Sequence, residues 1–248
     1  MEKISKEEKI EEIKKHSWHI VILLLAATIA GALLIGYFVE KNVEIRTFDN
    51  AGYEAIINMP HPVWLNNIVA PFNFNFLPFG GNYTPNFMLV GIVLFLIWLA
   101  FTKPKFLPWA VLSLILGLAY GIVLYDIISA IVFRARPFTV LPNSLNAQLK
   151  AIWASYDSYP SGHTRDTALY GTVISSYLPK LKWIILIFAI FIAFTRVYVG
   201  AHYPTDALAG LLVGYLGGKV AILFTREIQL LFTNRRIRRH GSKPQEVA

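Results

Sequence analysis

The chain has 248 residues and a net charge of +8; 55% of its residues are hydrophobic and only 15% are charged. A soluble globular domain carries roughly 25% charged residues, so this composition favours a membrane protein. The sequence contains no cysteine, which excludes disulfides, thiolate catalysis and cysteine metal sites. The positive charge suits either anionic lipid or nucleic acid, and its distribution along the chain decides between them.

Residues 1–19 combine Glu and Lys with Ile at helical spacing, which predicts a short amphipathic helix at the membrane surface. The segment is too long and too acidic for the n-region of a signal peptide, and no small-residue cleavage site is evident. We therefore expect the apolar segment that follows to be retained as a membrane anchor.

Six apolar segments follow, and a helix needs roughly 20 residues to cross a bilayer. They are 20–38, 85–101, 106–133, 164–178, 183–199 and 205–224. The third is long enough to tilt or to extend past the membrane. The fourth is the shortest and most polar. The sequence thus predicts an all-α, polytopic membrane protein with six transmembrane helices. This membrane unit, 20–225, lies between the N-terminal segment and a basic tail, 226–248.

Two long loops interrupt the predicted helices. The first, 39–84, is rich in Pro, Asn, Gly and aromatic residues, which predicts an irregular interfacial segment with a short amphipathic helix near 62–70. The second, 134–163, follows the third helix. No repeat and no second domain is evident.

The distribution of Lys and Arg predicts the orientation, because these residues accumulate on the cytoplasmic side. With the N-terminus inside, fifteen of them lie on the cytoplasmic side and seven on the other, while Lys219 lies within the sixth helix. We therefore expect a multi-pass protein of the plasma or inner membrane with both termini in the cytoplasm. The Arg-rich stretch 235–239 is expected to bind anionic lipid, and nucleic acid is the weaker interpretation.

Several ionisable residues fall at the outer ends of the predicted helices, where charge is costly and usually functional. They are Arg134, Arg136, His163, Arg165, Arg196, His202 and Asp206. Together they predict a cationic pocket at the outer surface, and the planar fork of arginine matches phosphate oxygens.

Two short stretches suggest the chemistry of this pocket. If a helix begins near Pro204, Asp206 can reach one ring nitrogen of His202 and leave the other free to attack. Ser161 and Gly162 precede the fourth helix, where backbone N–H groups bind anions and glycine permits close approach. His163 is then placed to donate a proton to a leaving oxygen.

These residues resemble the motifs of the type 2 phosphatidic acid phosphatase (PAP2) superfamily of membrane phosphatases. The family pattern is Lys-x6-Arg-Pro, then Pro-Ser-Gly-His, then Ser-Arg-x5-His-x3-Asp. The second motif is intact at 160–163, the third reads Thr195, Arg196, His202 and Asp206, and the first survives as Arg136-Pro137. The order of the six predicted helices also matches the family.

The resemblance implies a role for each matched residue. His202 attacks phosphorus and becomes a phosphohistidine, Asp206 orients His202, and His163 protonates the leaving group before water releases the phosphate. Four further residues bind the phosphate oxygens: Arg136, Arg196, Ser161 and Gly162. The family needs no metal, and the sequence has no ligand cluster that calls for a metal or another cofactor.

The family lysine is missing, because its position is occupied by Ser129. Arg134, Lys150 or Arg165 could supply the charge instead, and Arg165 is favoured because it lies two residues from His163. Alternatively, the lost contact marks a changed headgroup or a weaker activity.

The sequence therefore predicts a phosphatase that acts on a phosphorylated membrane lipid at the outer face. A polyprenyl diphosphate, a phosphatidylglycerol phosphate-like lipid and a phosphorylated saccharide lipid remain open as substrates. The first is favoured because carrier recycling needs an outward-facing phosphatase. Two other classes also remain open: a lipid-to-lipid phosphotransferase, and a non-catalytic lipid-binding or transport protein of the same fold. The expected partners are the substrate lipid and the bilayer, and the sequence specifies no oligomeric state.

Overall fold

A computed structural model of the protein describes residues 6–69, 72, 87–140 and 156–240. Within these ranges the chain forms nine α-helices and no β-strand, which confirms the all-α prediction. The helices are α1 (Lys6–Lys41), α2 (Val43–Ile57), α3 (Val63–Val69), α4 (Phe87–Thr102), α5 (Leu107–Val132), α6 (Pro137–Val140), α7 (Gly162–Tyr177), α8 (Lys182–Tyr198) and α9 (Pro204–His240).

In the described part of the chain, four stretches are long and apolar enough to cross a membrane. They are Trp18–Lys41, Pro104–Thr139, Pro179–Tyr198 and Pro204–Thr233, and a shorter apolar helix covers Met88–Thr102. Each of the six predicted segments overlaps one helix, namely α1, α4, α5, α7, α8 or α9. Length and composition thus establish four candidate spans, and six remains a prediction.

Large apolar side chains are exposed on the outer faces of these helices. Examples are Leu23 on α1 (67% exposed), Val123 on α5 (56%) and Ile187 on α8 (67%). A protein in water buries such side chains. In a bilayer they can stay on the surface, because hydrocarbon tails are as apolar as leucine itself. These faces are therefore suited to contact lipid.

Helices α1 and α9 run past the predicted domain boundaries. The predicted surface segment 1–19 continues without a break into the first span, because α1 extends from Lys6 to Lys41. Likewise α9 continues to His240, beyond the predicted boundary at 225. Residues 1–5 and 241–248 lie outside the described part of the chain, and the division into three segments stays a prediction.

Helix α2 occupies a stretch for which we expected irregular structure, so that expectation is wrong there. The side chain of Asn42 caps the helix by accepting a 3.0 Å hydrogen bond from the Ile45 N–H. Asp49, Tyr53 and Ile57 recur every four residues and form its buried edge. The buried edge includes a carboxylate, which a search for apolar periodicity does not count as a core position. The short helix expected near 62–70 is present as α3.

A row of glycines packs α9 closely against α7. Gly210, Gly214 and Gly218 are four residues apart and share one helix face. A Cβ atom at Gly210 would come within 2.6 Å of the carbonyl oxygen of Ser161, and one at Gly214 would collide with the carbonyl oxygen of Arg165. This close contact sets the start of α7 beside the start of α9.

Candidate active site

His202 lies in the turn between α8 and α9 and is only 2% exposed. Its Nδ1 is 2.7 Å from the carbonyl oxygen of Ser158, and its Nε2 is 3.2 Å from Nη1 of Arg136. Because a carbonyl can only accept a hydrogen bond, Nδ1 carries the proton and Nε2 presents a lone pair. His202 thus has the tautomer that attack through Nε2 requires.

Burial, followed by the positive charge of Arg136, lowers the pKa of His202 from 6.5 to about 4. Asp206 acts in the opposite direction, and the lowered pKa means that burial and the arginine outweigh it. The imidazole is therefore neutral near pH 7, and a nucleophile needs this form.

Asp206 lies in the first turn of α9 and is fully buried. Its Oδ1 accepts a 2.6 Å hydrogen bond from Nη1 of Arg134. Its Oδ2 accepts from the Ser158 hydroxyl at 2.6 Å and from the Tyr203 N–H at 2.9 Å. The same Oδ2 lies 3.8 Å from Nδ1 of His202. The carboxylate therefore acts on the imidazole mainly through its charge, while the short hydrogen bond to the ring comes from Ser158.

Ser158 was not predicted from the sequence, although it contacts both His202 and Asp206. Its carbonyl oxygen orients the ring and its hydroxyl holds the carboxylate. A serine in a polar loop is common, so its position two residues before Pro160 is the only signal that the sequence offers.

The Pro-Ser-Gly-His motif forms the N-terminus of α7. Ser161 is fully buried, its N–H donates to the carbonyl oxygen of Asp206 at 2.9 Å, and its hydroxyl accepts from Thr164 at 3.0 Å. Its amide is therefore engaged with α9, and phosphate binding by Ser161 stays a prediction. Gly162 and His163 follow in the first turn, where N–H groups have no acceptor within their own helix and favour an anion.

Arg136 connects His202 to a carboxylate that sequence reasoning missed. Its Nε donates to Oδ1 of Asp157 at 2.7 Å, while its Nη1 faces His202. The Tyr125 hydroxyl lies 3.2 Å from the other carboxylate oxygen. Burial alone would raise the pKa of Asp157, but the hydrogen bond and charge of Arg136 hold it below its usual value. Asp157 is therefore an anion that fixes one edge of the guanidinium.

Arg196 lies in the last turn of α8 and is fully buried. Its carbonyl oxygen accepts from the N–H groups of Ala201 and His202, which closes the turn that carries His202. Its charge acts on both His202 and His163, and Arg136 also acts on both. Arg136 and Arg196 therefore lie close enough to both His163 and His202 to act on them electrostatically.

Arg165 is directed toward α5. Its Nε donates to Asp166 at 2.7 Å, its Nη1 donates to the Gly121 carbonyl oxygen at 2.8 Å, and its guanidinium lies 5.0 Å from the Tyr125 ring centre. Its charge still acts on His163. The role of Arg165 as a substitute for the family lysine stays a prediction.

The other candidates for the lysine role stand as follows. Arg134 is engaged with two buried carboxylates, Asp206 and Asp49. Lys150 lies outside the described residues. Among the residues that the structure describes, no group of three or more His, Asp or Glu could hold a metal ion.

The chain resembles known proteins in sequence and in fold. Residues 110–229 match the PAP2 superfamily. The chain is 30% identical over 146 residues to the undecaprenyl-diphosphatase BcrC of Bacillus subtilis, an alignment that covers 56% of this chain and 68% of that protein. It is 28% identical over 130 residues to a lipid A 1-phosphatase of Rhizobium johnstonii, covering 49% of this chain and 50% of that protein.

The fold is similar to that of a transmembrane PAP2-type phosphatidylglycerolphosphate phosphatase from Bacillus subtilis. The two structures superpose with a TM-score of 0.61 at 22% identity, over 82% of this chain and 96% of the other. The matched family region contains the arginine, the Pro-Ser-Gly-His motif, the histidine and the aspartate assembled here. The chain therefore belongs to the PAP2 superfamily of membrane lipid phosphatases.

Proposed function

We propose that the chain removes phosphate from a membrane lipid through a phosphohistidine on His202. The observation that carries this proposal is the buried Nε2 lone pair of His202, which faces Arg136 at 3.2 Å. A neutral nucleophile beside fixed cations suits a substrate whose charge is carried by phosphate oxygens. The names of the relatives, an undecaprenyl-diphosphatase and a lipid A 1-phosphatase, support a lipid substrate.

The first half of the reaction forms the phosphoenzyme. Nε2 of His202 attacks phosphorus while the bond from phosphorus to the leaving oxygen breaks. Burial and the charge of Arg196 lower the pKa of His163 well below 6.5, so the protonated form that gives its proton to the leaving oxygen depends on the negative charge of the bound phosphate. With Nδ1 protonated and Nε2 phosphorylated, the ring is a cation, which the negative charge of Asp206 at 3.8 Å stabilises.

The second half returns the enzyme to its starting state. Neutral His163 takes a proton from a water molecule, whose oxygen attacks phosphorus as the nitrogen–phosphorus bond breaks. Inorganic phosphate leaves, and His202 recovers its Nε2 lone pair. Arg136 and Arg196 neutralise phosphate oxygens in both halves, together with the first-turn N–H groups of α7.

The site is proposed to face the non-cytoplasmic side. Its residues come from the ends of α5 and α8 and from the starts of α7 and α9, which would lie at one end of a bundle of six alternating spans. The excess of Lys and Arg at the opposite end supports an outward site, six spans and cytoplasmic termini. The phosphatase unit is then 20–225, flanked by 1–19 and 226–248.

A polyprenyl diphosphate is the favoured substrate. The alignment with the undecaprenyl-diphosphatase covers 68% of that protein, against 50% of the lipid A 1-phosphatase. Phosphatidylglycerol phosphate-like and phosphorylated saccharide lipids are the other candidates. The lipid tail would enter sideways between the helices, with its phosphate reaching the arginines.

Phosphate release in detergent tests the proposal, with a polyprenyl diphosphate, phosphatidate, phosphatidylglycerol phosphate and a phosphorylated saccharide lipid as substrates. We expect release that persists in EDTA and is lost in His202→Ala, with the polyprenyl diphosphate turned over fastest. A newly phosphorylated lipid in place of free phosphate would identify a phosphotransferase. Unchanged release by a folded His202→Ala protein would overturn the mechanism.

A further inference from the structure

Asp49 is a completely buried carboxylate on α2, outside all three sequence motifs. Its Oδ1 accepts from the Thr205 N–H at 3.0 Å, and its Oδ2 accepts from the Thr205 hydroxyl at 2.6 Å. The same Oδ2 lies 2.5 Å from Nη2 of Arg134. A buried charge without partners would be strongly unfavourable, and these contacts compensate for its desolvation.

Arg134 joins Asp49 to the nucleophile's own carboxylate. Its Nη2 contacts Asp49 and its Nη1 contacts Asp206 at 2.6 Å, so one cation serves two fully buried anions. The face of the guanidinium lies 4.1 Å from the Tyr203 ring centre, and Glu40 approaches Nε at 4.0 Å. The two buried carboxylates therefore carry one more negative charge than Arg134 neutralises.

This excess charge matters at His202. The phosphorylated ring is a cation, and Asp206 lies 3.8 Å from its Nδ1. If Asp49 became neutral, Arg134 would compensate Asp206 alone, and the negative potential at the ring would fall. Arg136 and Arg196 already place positive charge near this ring, so any lost negative charge acts directly on the phosphoryl-transfer step.

We propose that Asp49 is a positioning residue that acts through Arg134 to maintain the negative charge of Asp206 toward His202. The inference rests on the proposed role of His202 as nucleophile. It assigns a function to α2, a helix that packs against α8 and α9 from within the long first loop. The proposed role of Asp49 is electrostatic and differs from a purely structural role in capping the start of α9.

The test compares Asp49→Asn, which removes the charge, with Asp49→Glu, which keeps it, and with Thr205→Val. The valine removes the hydroxyl that bonds both Asp49 and Arg134. It leaves every charge in place, and the backbone N–H at position 205 as well. We expect kcat for lipid hydrolysis to fall on the order of tenfold or more in Asp49→Asn, with KM nearly unchanged. Asp49→Glu should recover part of the loss, and Thr205→Val should stay close to the wild type.

A second readout needs no turnover. The ring 15N resonances of His202, assigned by their absence in His202→Ala, should shift in Asp49→Asn and stay in place in Thr205→Val. If the wild type has no phosphatase activity but this shift occurs, the proposed function fails while the link from Asp49 to His202 holds.

Two outcomes would overturn the inference. One is wild-type kcat and unshifted resonances in Asp49→Asn. The other is an equal loss in Thr205→Val, which would assign the effect to the hydrogen bonds of the Thr205 hydroxyl rather than to the charge of Asp49. If Asp49→Asn does not fold, Arg134→Lys takes its place in the test. The lysine keeps the positive charge but cannot bridge both carboxylates, because it has no planar fork of donors. Its kcat should fall similarly, and an unchanged kcat in this variant would also contradict the proposal.

Discussion

Nη1 of Arg136 lies 3.2 Å from Nε2 of His202, so the arginine proposed to bind phosphate already contacts the nitrogen proposed to attack it. This hydrogen bond occupies the lone pair of Nε2. A bound phosphate must therefore replace it with a contact to its own oxygen, which frees Nε2 for attack. Asp157 holds Nε of the same guanidinium. Nη1 can therefore move from Nε2 of His202 to a phosphate oxygen while Nε stays in place.

Arg136→Lys should lower kcat/KM on the order of a hundredfold, although the positive charge is kept. A lysine ammonium cannot contact Asp157, His202 and phosphate at once, because it has no planar fork of donors. Steady-state phosphate release with the polyprenyl diphosphate measures the effect. A lysine variant as active as the wild type would mean that charge alone is sufficient at this position.

Asp157→Asn should have a smaller effect that falls mainly on kcat. The amide oxygen can still accept from Nε of Arg136, but the hydrogen bond loses its ionic contribution, which is worth about 1–3 kcal/mol. We expect kcat to fall on the order of tenfold. Asp166→Asn provides the matched control, since it neutralises another half-buried carboxylate paired with an arginine away from His202. Equal losses in the two variants would contradict a specific role for Asp157.

The motifs that sequence reasoning found are local. His202 and Asp206 lie four residues apart across a helix start, and Ser161, Gly162 and His163 are consecutive. Such spacing determines geometry within one or two turns of helix, which is why the structure places these groups together.

The contacts that sequence reasoning missed join residues across long separations. Asp49 bonds Thr205, 156 positions later in the chain, and Arg134 bonds Asp206, 72 positions later. A buried charge has no periodic pattern that distinguishes it from an exposed one. The partners of a buried charge depend on which helices pack together, and the sequence alone does not reveal that pairing.

The stability of the protein should decrease as the pH falls from 6.5 toward 4, in part because of His202. Its pKa is about 4 in the folded chain and 6.5 as its ordinary value, so the unfolded chain binds more protons in this window. The folded state therefore loses up to about 3 kcal/mol relative to the unfolded state as the pH falls through the window. Thermal unfolding at a series of pH values should show a weaker acid dependence in His202→Ala. The same slope in both proteins would rule out this contribution.

Ser158→Ala should destabilise the protein by about 1–3 kcal/mol, because Asp206 loses a hydrogen bond to its buried charge. The Ser158 carbonyl bond to His202 involves the backbone and remains. Ser176→Ala is the control, since it removes a hydroxyl that bonds only a backbone oxygen within α7. Thermal unfolding of the two variants in detergent measures the difference. A destabilisation no greater than that of Ser176→Ala would contradict a structural role for the Ser158 hydroxyl.

Gly214→Ala should impair both folding and activity. A methyl group at Gly214 would collide with the carbonyl oxygen of Arg165, which belongs to the α7 backbone and cannot rotate away. Helix α7 must then move away from α9, and with it the turn that carries His163. Gly91→Ala is the matched control, because its Cβ would meet nothing within 4 Å and alanine is the better helix former. We expect Gly214→Ala to lower the unfolding temperature and the rate of phosphate release, while Gly91→Ala leaves both at or above wild-type values. If both variants behave alike, the close contact between α7 and α9 does not hold the site together.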